Sequence, residues 1–265
     1  RGTHKPEVSG SIPLPATMSY MFRQIRIAIY QYLFFSLVFF ALVEGWYCKY
    51  SSQRSNVEGS FCEKYFLNFW NENGFIETIQ VILILISLIL SFNFFFKSKI
   101  KIEKKMFFII SIGLFYYFGE EISWGQHYIK FNTPAVLVDI NNQKEFNLHN
   151  ISNLFDQLPR SLVFIICSFS FILILINERI FHFKLKYNYL ILPSKNLAYT
   201  SVLLLFISLP DFINNKFDLQ LYNYLENYLY ELFTFNYIRL SELQELIFSF
   251  YFLNYMLEIK KKIQT

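Results

Sequence analysis

Residues 75–96 read FIETIQVILILISLILSFNFFF, and their reading decides the fold. After Glu77 the run carries no charge, and it exceeds the roughly 20 apolar residues that cross a hydrocarbon core as a helix. Five further apolar segments flank it: Ile27–Val43, Met106–Trp124, Ser161–Ile176, Leu197–Ile213 and Ser241–Leu257. Each is shorter and needs interfacial aromatics, tilt or local bilayer thinning to span. The expectation is an all-α polytopic membrane bundle of about six transmembrane helices. Residues 18–265 would form one integral-membrane domain.

Composition agrees with that expectation. The chain has 265 residues, of which 54% are hydrophobic, 21% aromatic and only 17% charged. A soluble domain carries about 25% charged residues. With 33 Phe and 19 Tyr against 8 Gly, disordered, collagen-like and disulfide-scaffold classes are excluded. Residues 1–17 (RGTHKPEVSGSIPLPAT) are polar and unlike the rest of the chain. They read as a linker or flexible arm, with Met18 or Met21 as the expected start of the membrane domain.

Lys and Arg choose the orientation. With the N-terminus inside, the inner turns hold Arg23 and Arg26, the cluster from Lys97 to Lys105, the group from Arg179 to Lys195, and Lys260 to Lys262. The longer outer segments hold fewer, as the positive-inside rule requires. Both termini are therefore expected in the cytoplasm, and a bacterial inner membrane is the expected location. The net charge of +4 then belongs to turns that face lipid headgroups rather than to a nucleic-acid surface. Nucleic acid is not an expected partner, membrane lipids are, and the sequence is silent on oligomeric state. Cys48 and Cys62 both fall in the first outer loop, as a disulfide or as two thiols. Asp218–Tyr237 has Leu and Tyr at helical spacing and is expected as an amphipathic helix in the outer interface.

Acidic residues mark the other side. Glu44, Glu77, Glu120, Glu121, Asp211, Glu242 and Glu245 all fall at outer span ends, whereas Glu103, Glu178 and Glu258 stand beside bases at inner ends and read as solvated pairs. Ionisable groups near hydrocarbon are costly and are tolerated chiefly facing a cavity, a partner or an ion.

The densest stretch is Gly119-Glu120-Glu121-Ile122-Ser123-Trp124-Gly125-Gln126-His127. On a continuous helix Glu120, Trp124 and His127 share a face, with Glu121 turned about 100° away. Adjacent carboxylates in a low-dielectric setting do not both ionise cheaply, which suits a general acid/base or a carboxylate–imidazole metal site. The bland alternative is a pair of interfacial glutamates beside Lys130, with Trp124 as a belt residue. A second stretch, Glu145-Phe146-Asn147-Leu148-His149-Asn150, places Glu145 and His149 at i, i+4. Its alternative is a capping network of His149 with Asn147 and Asn150.

Together the stretches supply candidate catalytic residues Glu120, Glu121 and His149, and candidate ligands Glu121, His127, Glu145 and His149 for a divalent metal, zinc by donor type. Trp124, Gln126, Asn147, Asn150, Glu242 and Glu245 are candidate substrate-binding residues. Glu242 and Glu245 also read as ordinary acids at a helix start.

Glu120-Glu121 followed by the spacer to Gln126 resembles the first motif of the CPBP-type intramembrane glutamyl proteases. There a glutamate helped by histidines activates water. The likeness is confined to Glu120–Gln126; Gly125 stands where that motif has Arg, and no Phe-x-x-x-His follows.

The leading expectation is a membrane hydrolase or group transferase acting on a lipid-linked or membrane-embedded substrate, lipid or peptide, at the outer face. The alternatives are a cation transporter or channel with an acidic vestibule, and a non-catalytic assembly subunit.

Overall fold

A computed structural model describes residues 31–40, 42–43, 47–48, 69–70, 74–138, 141, 144–148, 151–152, 161–166, 168–169, 171–172, 190, 195–216 and 240–264. Within them the regular elements are helices, with no strand: α1 (Phe75–Lys97), α2 (Lys101–Glu121), α3 (Gln126–Ile129), α4 (Ala135–Val138), α5 (Lys195–Lys216) and α6 (Leu240–Gln264). Gln31–Phe40 is also helical. The arm at 1–17 and the amphipathic segment 218–237 lie outside the described residues.

The apolar run at 75–96 forms α1 over its expected length. At 1.5 Å per residue its 23 residues extend about 34 Å. Among the described helices it alone is long and apolar enough to cross a membrane, so six spans are more than the described residues carry. The physical reason lies in the ends of the others. α2 opens on Lys101-Ile102-Glu103-Lys104-Lys105, and α6 runs beyond the expected Leu257 into Lys260-Lys261-Lys262.

α1 and α2 form a helical hairpin. Ser98 N–H donates to Phe94 O at 2.8 Å, and Ser98 Oγ donates to Glu103 Oε2 at 2.5 Å. Glu103 is buried, which corrects its reading as solvated. Lower in the hairpin, Ser91 and Ser111 share a hydroxyl–hydroxyl bond of 2.7 Å, and Phe94 packs on Phe107.

α6 lies beside α1 and runs parallel to it. Gln80 Nε2 donates to Glu242 O near both helix starts, while Met256 and Ile259 join Phe94 and Phe107 in a cluster near the Lys97 end. Residues Leu246 to Tyr251 are buried without a break, so α6 is covered on every side, as a helix apolar around its whole circumference must be. α5 and the Gln31–Phe40 helix supply part of the cover. Leu197, Leu204 and Ile207 share the α6 core, and Phe34 stacks on Phe250 with centroids 3.6 Å apart.

Large apolar side chains are exposed along α1 and α2 beside a core that is itself mainly apolar. Buried positions of α1 include Gln80, Ser87 and Ser91 among Ile76, Ile84, Leu88 and Phe94, and its exposed positions include Ile82, Leu85, Ile86, Ile89, Phe92 and Phe96. On α2, Glu103 and Ser111 are buried while Phe108, Ile109, Ile112 and Phe115 point out.

Cys48 is fully buried and disulfide-bonded. Cys62 lies outside the described residues.

Candidate functional site

Parallel α1 and α6, with antiparallel α2 on α1, gather the acidic residues at one end. Glu77 is in the first turn of α1, Glu120 and Glu121 close α2, and Glu242 is in the first turn of α6. Tyr117 Oη donates to Glu245 O, which sets the start of α6 against the last turn of α2. Glu44 and the side chain of Asp211 lie outside the described residues.

Helix α2 stops at Glu121, before the Trp124 expected from the apolar run. Ser123, Trp124 and Gly125 take φ of 45°, 51° and 91°, three left-handed residues in succession. For Ser and Trp this conformation costs roughly 1–2 kcal/mol each, while Gly125 adopts it without a Cβ penalty. The shared helical face of Glu120, Trp124 and His127 therefore does not form. The turn reverses the chain and brings Trp124 back to Glu120 by another route. Trp124 Nε1 donates to Glu120 Oε1 at 2.7 Å. The indole lies over Gly119, where a Cβ would stand 2.9 Å from three ring carbons, and its edge meets Phe115 and Tyr116.

The second stretch folds onto this turn. Leu148 N–H donates to Glu120 Oε2 at 2.7 Å, so both oxygens of a carboxylate only 4% exposed accept N–H groups. Ser123 Oγ donates to Glu145 Oε2 at 2.6 Å, and Asn147 Nδ2 reaches the same oxygen at 3.0 Å. Asn147 Nδ2 also lies 3.2 Å from Ser123 Oγ. Asn141 Nδ2 donates to both the carbonyl and the amide oxygen of Asn147. Ser123, Asn141 and Asn147 are all buried.

Glu145 does not stand on a helix within the described residues, and the i, i+4 pairing expected with His149 lies outside them. Lys144 has φ of 59°, and residues 145–148 bend without helical repeat, because Asn141 takes the backbone groups a helix would use. The side chain of His127, with His149 and Asn150 entire, lies outside the described residues.

Gln126 holds the loop shut. Its Nε2 donates to Phe131 O and Thr133 Oγ1, and its Oε1 accepts from Phe146 N–H at 2.6 Å. Thr133 Oγ1 donates in turn to Lys144 O. Gln126, Asn147 and Trp124, expected as substrate contacts, thus spend these polar atoms on internal bonds that shape the carboxylate pair.

Of the residues expected at the site, Glu120, Trp124, Gln126, Glu145 and Asn147 join one hydrogen-bonded unit with the turn and loop. Among the described residues no three His, Cys, Asp or Glu side chains meet as a metal cage. Sequence reasoning missed Gly119, Ser123, Thr133 and Asn141. Ser123 and Gly119 stood inside the quoted motif, and their signal was their place beside acids. Asn141 had no local signal. No protein-family model matches the chain, and neither a curated protein nor a solved structure matches it.

Proposed function

We propose that this is an integral-membrane enzyme that uses buried carboxylates at one membrane boundary to activate water or a hydroxyl against an amphiphilic substrate. The outward apolar faces of α1 and α2 support the membrane setting: bare Ile and Phe are stable there only against hydrocarbon. The cytoplasmic side is assigned to Lys97–Lys105 and Lys260–Lys262, and the acidic end to the opposite face.

One observation carries the enzymatic reading. Glu120 and Glu145 are fixed by a strained left-handed turn and a loop that supply Trp124, Leu148, Ser123 and Asn147 as their hydrogen-bond donors. Strain of this kind persists only where surrounding contacts over-determine it, and it concentrates at functional sites. A carboxylate so held serves as general base to water, with its neighbour orienting the nucleophile. Hydrolysis and group transfer share this step.

Zinc belongs to the proposal as a donor-set match. Glu121, His127, Glu145 and His149 are the oxygen and nitrogen ligands it prefers, and when bound it would supply a water of lowered pKa.

The test is a lipid and peptide panel presented to purified protein in nanodiscs, with products read by mass spectrometry. A product formed by the wild type and lost in both Glu120→Gln and Glu145→Gln supports the reading. Equal product from all three overturns it. Elemental analysis of the same preparations decides the metal: stoichiometric zinc lost in Glu121→Gln and His149→Ala supports it, and active zinc-free protein removes it.

A second reading, cation passage, has one observation in its favour. Gln80, Ser87 and Ser91 of α1 and Ser111 of α2 are buried polar side chains, Gln80 meeting α6 and Ser91 meeting Ser111, and Gln80 Oε1 and Asn254 Nδ2 are buried without hydrogen-bond partners. Cation flux into proteoliposomes, abolished by Gln80→Leu, supports that reading.

A further inference from the structure

The outward face of α2 can be followed one position further than the exposed apolar residues. Phe108, Ile112 and Phe115 form one outward column, and the next position at helical spacing is Gly119. Ile109, Gly113 and Tyr116 form the adjacent column, which ends on Glu120. Ile109 is 69% exposed and Phe115 51%, yet Gly119 is buried and Glu120 is 4% exposed. The side of Glu120 is therefore the outward side of the helix, whereas Glu121 continues the inward column of Phe107 and Leu114.

What covers Gly119 is the Trp124 indole, folded back along α2 by the left-handed turn. The ring spans from Phe115 and Tyr116 to Gly119, with centroid distances of 5.9 and 6.4 Å to the two aromatics. Its Nε1 holds Glu120 Oε1. Rotating this one side chain outward opens the space over Gly119 and frees Glu120 Oε1 on the outward face, while Leu148 N–H still holds Oε2.

We infer that Trp124 is a lateral gate, a specificity-determining residue that admits a substrate to Glu120 from the lipid phase. This rests on the reading that the outward face of α2 meets lipid. An amphiphile arriving along that face displaces the indole and replaces its N–H at Glu120 Oε1 with a polar group of its own.

A lipid-soluble carbodiimide, N,N′-dicyclohexylcarbodiimide, tests this without a known substrate, because it modifies carboxyl groups reachable from hydrocarbon. The full chain in liposomes is labelled, and modification at Glu120 and Glu121 is separated by tandem mass spectrometry. Wild-type protein is expected to react slowly at Glu120. Trp124→Ala should raise the Glu120 rate by about tenfold or more while Glu121 stays unchanged. Gly119→Ala, which retains the indole N–H but leaves no room for the ring, should move Glu120 in the same direction. Equal Glu120 rates in wild type and both variants would overturn the gate, as would Glu121 rising in step. A Glu120 that reacts faster with a water-soluble carbodiimide than with the lipid-soluble one would also overturn it. Labelling needs no turnover, so its failure and the failure of the enzymatic reading are distinguished.

Discussion

The backbone N–H of Leu148 donates to Glu120 Oε2 at 2.7 Å across 28 residues of sequence. This contact, with Ser123 Oγ on Glu145 Oε2, joins the two polar stretches of the chain into one unit. Neither stretch holds its conformation alone. The turn at Ser123–Gly125 is strained, and the loop at 144–148 has no regular secondary structure. Each is stable because the other supplies its partners.

Removing the Glu120 carboxylate leaves two N–H groups, on Trp124 and Leu148, without these acceptors. A buried polar group left unpaired costs about 1–3 kcal/mol, so Glu120→Ala should lose about 2–4 kcal/mol. Thermal unfolding in detergent reads this as a lowered Tm. Glu120→Gln can satisfy one donor but presents its NH₂ to the other, and should fall between wild type and Ala.

Gln126→Ala removes the side chain that ties α3 to both ends of the loop. Hydrogen exchange over residues 131–148 should accelerate by about tenfold or more, while α1 and α6 keep their protection. Exchange that stays unchanged would show that the loop is held by something else.

Gly125→Ala places a Cβ on a residue at φ of 91°. The space around it is open apart from Ile129 Cδ1 at 3.6 Å, so the penalty is conformational rather than steric. A loss of about 1–2 kcal/mol is expected, measured by thermal unfolding. Gly113→Ala, on α2 with nothing within 4 Å of its Cβ, should be neutral or stabilising and serves as the control.

Ile89→Arg distinguishes a lipid-facing from a water-facing α1. Ile89 is 59% exposed, so in water the change would be nearly neutral. Against hydrocarbon a central Arg costs about 2.5–3.5 kcal/mol in membrane insertion. Alkaline extraction of membranes should release a larger fraction of the variant than of wild type.

Cys48→Ser breaks a bond at a fully buried position. The expected loss is about 2–4 kcal/mol, the typical range for a disulfide. A mobility shift on reduction, seen in wild type and absent from the variant, checks that the bond is present in the purified chain.

The long run at 75–96 determined α1 by itself, since an apolar stretch of that length, free of charge after Glu77, has no better solution than a helix. Composition also marked Glu120 to Gln126 and Glu145 to Asn147, because carboxylates and amides beside apolar segments are conspicuous. Tertiary structure decided the rest. Nothing local predicts three left-handed residues after Glu121: their strain is met by Gly119, Glu120 and the distant Glu145 and Leu148. Nor does sequence separate Glu120 from Glu121 by environment. Only the packing of α1 and α6 fixes which side of α2 points inward, leaving one carboxylate on the bundle face and the other beneath the indole of Trp124. A helix carries its periodicity in the sequence; which side is covered depends on its neighbours.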